Sequence, residues 1–276
     1  MLAALVIVFR ESMEAGLVIG IVLAATRGIA GRALWVGYGI AAGALGACLV
    51  AAFAHVISSA IEGMGQEVFN AAVLSLAVVM LTIHNVWMSR HGREMAAKMR
   101  AVGESVVSGA TSFAALGIVV GIAVLREGSE VVLFLYGIAI AGNDSPFMML
   151  TGGIAGLAAG VLMTTLMYLG LVRIPTRHLF KVTSCMLALL AAGMAAQVVS
   201  FLQQAQVVDI FSHPVWNTSG LLSEGSYLGK ALHTLIGYTD RPSGLQLIVY
   251  AITLAIIFTL MRLFGSAPAA PQPAKV

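Results

Sequence analysis

Two short charged motifs lie inside long apolar runs, and they constrain this chain more than any other feature. Residues 10–14 read Arg-Glu-Ser-Met-Glu, and residues 126–130 read Arg-Glu-Gly-Ser-Glu. Both fit the pattern Arg-Glu-x-x-Glu, and each brings three charges into a stretch that otherwise resembles a membrane helix. A single charge at the centre of such a helix costs about 2.5–3.5 kcal/mol on insertion scales. Two matching clusters at that cost predict a functional site.

The composition predicts an integral membrane protein with one domain. The chain of 276 residues is 59% hydrophobic and 10% charged, whereas soluble domains carry roughly 25% charged residues. We expect a transmembrane domain over residues 1–265. The remaining segment, 266–276, is rich in proline and alanine and is predicted to be a disordered cytoplasmic tail.

Seven apolar runs are long enough to span a bilayer, because a spanning helix needs roughly 20 mostly apolar residues. These runs predict an all-α membrane protein. Between the sixth and seventh runs, the amphipathic stretch 222–237 predicts a short interfacial helix. The predicted spans are 2–26, 33–58, 68–89, 111–141, 147–172, 182–206 and 244–264.

The loop charges predict the orientation of the chain in its membrane. Eleven of the fifteen Lys and Arg residues fall in one set of loops, and only Lys230 and Arg241 fall in the opposite set. Because loops rich in Lys and Arg stay in the cytoplasm, we expect the N-terminus outside and the C-terminus in the cytoplasm. The same bias accounts for the net charge of +3, so the sequence predicts the lipid bilayer, and no nucleic acid, as a partner.

The positions of the motifs predict an inverted internal repeat. Each motif lies in the first helix of a three-helix unit, so helices 1–3 and 4–6 form two units of opposite direction, with helix 7 outside the repeat. Secondary transporters commonly place the substrate site at the midplane between such repeats. The GxxxG pairs Gly16/Gly20 and Gly117/Gly121 are expected to pack helices 1 and 4 together and to bring the motifs into contact.

Helical spacing gives each motif two carboxylates on one face. Glutamates three residues apart share a face, and an arginine four residues before a glutamate can pair with it. Two facing motifs would form an all-oxygen site, which suits hard cations such as Fe(III), Mn(II), Mg(II) or Ca(II), while the arginines balance charge in the empty site. The predicted metal ligands are Glu11, Glu14, Glu127 and Glu130, and the predicted counter-charges are Arg10 and Arg126.

Other polar residues within or beside the apolar runs carry less weight. His55, His84 and Asn85 are weaker candidate ligands, for which the favoured interpretation is a hydrogen-bonded packing role, and Gln197 is a candidate pathway residue. Acidic residues are concentrated in the outer loops, where a negative surface raises the local concentration of cations. The candidate cation-collecting acids are Glu62, Glu67, Asp144 and Asp240.

With these motifs the sequence resembles the oxidase-dependent iron permease family, which includes bacterial Efe-type and fungal high-affinity iron permeases. The family carries two Arg-Glu-x-x-Glu motifs in the first and fourth of seven helices. Its usual motif is Arg-Glu-Gly-Leu-Glu, whereas this chain has Ser12-Met13 and Gly128-Ser129 at the inner positions. The resemblance implies high-affinity iron import across the plasma membrane, here the bacterial inner membrane. The transported substrate would be an iron ion, with no bound organic cofactor and no enzymatic activity.

The resemblance also implies an extracytoplasmic partner, either an oxidase or an iron-binding protein, which supplies the iron. Three alternatives stay open at this point. One is a permease for lead or another divalent cation, because lead permeases occur in the same superfamily. Another is proton-coupled transport of an organic anion, which would need the arginines to face the substrate. The third is an intramembrane di-iron carboxylate enzyme. Di-iron bundles typically use Glu-x-x-His units, and both motifs here have glutamate in place of that histidine, which argues against the enzyme.

Overall fold

The computed structural model describes residues 1–60, 66–141, 145–171 and 176–264, and over these residues the chain is built from helices. The helices are α1 (Leu2–Ala25), α2 (Arg32–Ala60), α3 (Gln66–Val107), α4 (Ala114–Ala141), α5 (Pro146–Tyr168), α6 (Thr176–Gln204), α7 (Tyr227–Ile236) and α8 (Gly244–Phe264).

Five of these helices, α2, α3, α5, α6 and α8, are long and apolar enough to cross a membrane, which makes this a multi-pass membrane protein. Helices α1 and α4 have sufficient length, but every 18-residue stretch within them contains the three charges of its motif. Their crossing therefore stays a prediction, as do the seven-span count and the inverted repeat. The predicted disordered tail, 266–276, lies outside the described residues.

Helix α3 is longer than its predicted span of 68–89. It continues without interruption to Val107, for a total of 42 residues. The second half is polar but rich in alanine, methionine, lysine, arginine and glutamate, which favour helix. Near its end, Val106 joins Val22, Leu116 and Val120 in a buried apolar cluster with residues of α1 and α4. The polar half of α3 is thereby anchored to the ends of other helices.

Helix α7 confirms the short helix predicted within 222–237. The hydroxyl of Ser226 caps its first turn, and Gly237 ends it in the left-handed conformation, with φ at 71°. Beyond this helix, the Tyr238 hydroxyl lies 2.7 Å from the hydroxyl of Thr218 and donates to the carbonyl of Leu222. The polar segment before α8 is therefore cross-linked by hydrogen bonds.

Close crossings join α1 to α5 and α4 to α2. A β-carbon added at Gly156 of α5 would meet the backbone of Leu5 and Phe9 in α1. In α2, a β-carbon added at Gly39 would meet the backbone of Gly117 in α4. Glycine allows such backbone approach because it has no side chain.

The prediction that Gly16/Gly20 and Gly117/Gly121 pack α1 against α4 is wrong. Gly16 faces Thr164 of α5, and Gly117 faces Trp35 of α2. Helices α1 and α4 do contact each other, but through the faces that carry the motif side chains. These side chains are bulky, so the two helices are farther apart than a glycine crossing would allow. The glycine faces are free to bind α5 and α2 instead.

A matched pair of α2 variants tests the glycine crossing. Gly39→Ala is expected to lower the free energy of unfolding by about 1–3 kcal/mol because the new methyl group overpacks against α4. Gly37→Ala gains the same helix propensity, and its β-carbon meets no atom within 4 Å, so no loss is expected. Unfolding midpoints of the purified proteins in detergent measure the difference. Equal midpoints for the two variants would contradict the close crossing.

Candidate metal centre

Helix α1 holds the first motif in the interior of the protein. Arg10 and Glu11 are completely buried, and Glu14 is 4% exposed. The Arg10 Nε donates a hydrogen bond of 2.8 Å to Oε1 of Glu14. The pairing of residues four apart, expected from the helical spacing, is therefore present, and it leaves Glu11 without this arginine's hydrogen bond.

Helix α4 repeats the same internal pairing in a more open environment. The Arg126 Nε donates to Oε1 of Glu130 at 3.1 Å and lies 3.8 Å from Oε1 of Glu127. Its side chain is 34% exposed, and its guanidinium lies over the ring of Trp87 at 4.4 Å from the ring centroid. The two motifs thus share one arrangement, but the first is sealed and the second is partly accessible.

The two motifs meet at His84 of α3. The His84 Nε2 is 3.6 Å from Oε2 of Glu11 and 3.7 Å from Oε2 of Glu14, and Nδ1 is in direct contact with Oε2 of Glu130. Potential ligand atoms of Glu11, His84, Glu127 and Glu130 all lie within 4.8 Å of one another. Three helices therefore direct carboxylates and an imidazole to one small volume.

Several carboxylate oxygens of this cluster are buried with no hydrogen-bond partner among the described residues. They include both oxygens of Glu11, Oε2 of Glu14 and Oε2 of Glu127. Most buried polar atoms in proteins are hydrogen-bonded, and a buried charge without a partner is costly. A cation that used these oxygens as ligands would remove that cost, so the arrangement fits a metal site.

The structure assigns different positions to the residues interpreted as packing residues. Asn85 donates from Nδ2 to the carbonyl of Ser184 at 3.0 Å and so joins α3 to α6, as a packing residue should. His84 instead contacts carboxylates of both motifs, which its interpretation as a packing residue does not anticipate. The available signal was an imidazole within an apolar run. The direction in which the His84 imidazole points depends on the rotation of α3 about its own axis, which the sequence does not reveal.

The candidate cation-collecting acids are not brought into this cluster where the structure describes them. Glu67 is exposed in the first turn of α3, and Oδ2 of Asp240 accepts a hydrogen bond from the backbone of Glu224 at 3.3 Å. Glu62 and Asp144 lie outside the described residues. The collecting role of these acids stays a prediction.

The fold and the cluster define a multi-pass membrane protein with a buried carboxylate and histidine site. The chain belongs to the Iron permease FTR1 family, whose model matches residues 1–267. Proteins of this family are permeases, so the protein is a transporter rather than an enzyme, and the resemblance seen in the sequence is confirmed.

Comparison with curated proteins gives the same relationship. The chain is 30% identical over 260 residues to the ferrous iron permease EfeU of Escherichia coli O6:H1, covering 92% of each chain. It is equally similar to the EfeU proteins of Shigella sonnei, with the same coverage, and of Yersinia pestis, with 92% of this chain and 90% of the relative covered. No solved structure is significantly similar to the chain.

Proposed function

We propose that this protein imports iron across the plasma membrane, with high affinity, through a site formed by both Arg-Glu-x-x-Glu motifs. The observation that carries the proposal is the convergence of Glu11, Glu127, Glu130 and His84 within 4.8 Å. Family membership and relatives named as ferrous iron permeases support iron as the substrate. The loop charges support an N-terminus outside, and the relationship to bacterial permeases supports the bacterial inner membrane.

The dimensions of the cluster suit a transition-metal ion. Bonds of roughly 2.0–2.2 Å to nitrogen and oxygen hold opposite ligand atoms at most about 4.4 Å apart. The observed limit of 4.8 Å is only slightly wider, so small side-chain movements would complete the site. The four motif carboxylates outnumber the two guanidinium groups, and this excess of negative charge favours a multivalent cation.

The pairing within each motif supports different roles for its two glutamates in binding the cation. Glu14 is hydrogen-bonded to Arg10, and Glu130 is hydrogen-bonded to Arg126. The first glutamate of each motif makes no such bond, so Glu11 and Glu127 would engage the cation first. The arginine-bound glutamates would follow as the cation replaces the guanidinium, which keeps the carboxylates neutralised in the empty site.

The packing of the helices supports an inverted repeat and alternating access. If α1–α3 and α4–α6 are equivalent units, the crossing of α1 with α5 is equivalent to that of α4 with α2. Both crossings are close and use glycine on α5, α2 and α4. Transporters of this plan hold the substrate between repeats and expose it alternately to each side. In this scheme the outer acids collect the cation, and an extracytoplasmic oxidase or iron-binding protein supplies it.

Uptake into reconstituted vesicles tests the proposal. Vesicles that contain the protein and an enclosed iron-sensitive dye are expected to accumulate iron with time, well beyond protein-free vesicles. Supplying Fe(II) and Fe(III), each with and without a proton gradient, identifies the species carried and the energy source. Competition by Pb(II) tests the lead alternative. Iron that binds in proportion to the protein but does not accumulate inside would contradict the proposal.

A further inference from the structure

We propose that His84 is a ligand of the transported cation and that its nitrogen gives the site a preference for Fe(II) over harder divalent cations. This inference rests on the proposed transport function and adds a residue to the two motifs. It also changes the chemistry expected of the site. The sequence predicts an all-oxygen site, whereas a site that includes His84 is a mixed nitrogen and oxygen site.

The distances around Nε2 of His84 favour a ligand over a hydrogen-bonding residue. Nε2 lies 3.6 Å from the Glu11 carboxylate and 3.7 Å from the Glu14 carboxylate. Hydrogen bonds from nitrogen to oxygen are shorter, at about 2.7–3.2 Å. Neighbouring ligands of one ion, bound at roughly 2.1 Å, lie about 3.0–3.4 Å apart. The observed spacing is therefore close to what a shared ion requires.

The imidazole is held in one orientation from two other directions. Its Nδ1 is in direct contact with Oε2 of Glu130, which leaves Nε2 directed at the carboxylates of α1. The ring also packs edge-on against Phe134, with the planes 78° apart and the centroids separated by 6.2 Å, and Phe134 is completely buried. Metal-binding histidines commonly have their second nitrogen fixed by a carboxylate in this way. Glu130 would thus orient His84 through Oε2 and bind the cation through Oε1, the oxygen that Arg126 holds in the empty site.

Donor type determines which cations such a site prefers. Carboxylate, carbonyl and water ligands suit Mg(II), Ca(II) and Mn(II), whereas imidazole suits iron, zinc, copper and nickel. A single nitrogen donor among carboxylates therefore raises the affinity for Fe(II) relative to Mn(II) and Ca(II). The discrimination would be lost if His84 were replaced by an oxygen donor, even though the site could still hold a cation.

Pulsed electron paramagnetic resonance of bound Mn(II) tests the ligand directly. The full-length protein in detergent, saturated with Mn(II), is expected to show nitrogen modulation from a coordinated imidazole. The signal should disappear in His84→Gln and persist in His213→Gln, a control at an exposed histidine. A wild-type protein without nitrogen modulation would overturn the proposal. This measurement needs no variant to fold.

Uptake ratios in vesicles test the preference. The ratio of Fe(II) to Mn(II) uptake is expected to fall about tenfold in His84→Asp while Mn(II) uptake continues, and to stay unchanged in His213→Gln. A ratio that stays within about twofold of wild type would overturn the proposal. Failure of the transport function is distinguishable: wild-type vesicles would then accumulate no iron, whereas the nitrogen signal depends on binding alone.

Discussion

Glu11→Gln is expected to abolish iron accumulation in reconstituted vesicles, lowering the initial rate by about 100-fold or more. Loss of an outer-shell partner alone typically costs 10- to 100-fold in metal affinity or activity, and Glu11 offers two buried oxygens with no hydrogen-bond partner among the described residues. Glutamine has nearly the same shape but no negative charge, so the substitution removes the ligand's charge with little change in packing.

The same variant is expected to unfold at an equal or higher temperature than the wild type when no metal is present. The wild-type protein buries the Glu11 carboxylate completely with no hydrogen bond among the described residues, and burying a polar group without hydrogen bonds destabilises the folded state. Loss of transport without loss of stability would separate a binding role from a structural one. Glu104→Gln, at an exposed glutamate of α3, is the matched control. Near-normal transport by Glu11→Gln at normal protein levels would contradict a metal site at the motifs.

Arg10→Met is expected to destabilise the protein by about 3–5 kcal/mol, because it leaves Glu14 buried without its partner. The ion pair is 2.8 Å long, and both side chains are almost inaccessible to solvent. Arg126→Met removes the equivalent arginine of the second motif, but that side chain is 34% exposed, so a loss of only about 1 kcal/mol is expected. Free energies of unfolding in detergent measure both effects.

A double variant separates the lost ion pair from lost packing. Adding Glu14→Gln to Arg10→Met removes the stranded charge, so more than half of the lost stability should return. If the double variant is no more stable than Arg10→Met, then the arginine acts mainly through its volume. Equal losses for Arg10→Met and Arg126→Met would contradict the difference in burial between the two motifs.

The helices could be predicted closely from the sequence because each apolar run is long and bounded by polar residues. The short helix α7 was also predictable, since an amphipathic stretch of that length ends at Gly237. The full length of α3 was not: its second half is polar and so lies outside the apolar run, although its residues favour helix and its end packs against α1 and α4. The hydropathy of a sequence indicates where its apolar stretch ends, but a helix can continue beyond that point.

The candidate site was predictable in its charged residues but not in its geometry. The motifs predicted the pairing of each arginine with the second glutamate, which the structure confirms, and Glu11, Glu127 and Glu130 do converge. That all four glutamates bind the cation stays a prediction. Glycine spacing did not reveal which helices pack together. Gly16 and Gly117 permit a close approach, but they do not determine which helix approaches. The contribution of His84 depends on the rotation of α3 about its own axis. The rotation of α3 is fixed by packing around Phe134 and Leu81, and this packing cannot be predicted from a single sequence.

The unbroken length of α3 makes it a stiff mechanical link. His84 lies in its apolar half, and Gly103 lies against Ala25 at the end of α1. These two points are separated by about 28 Å at 1.5 Å per residue. A tilt of the polar end relative to α1 therefore displaces the imidazole relative to the carboxylates, with no hinge between them to absorb the movement. A force applied to the part of α3 that extends beyond its apolar span would therefore change the distances between His84 and the carboxylates of the cation site.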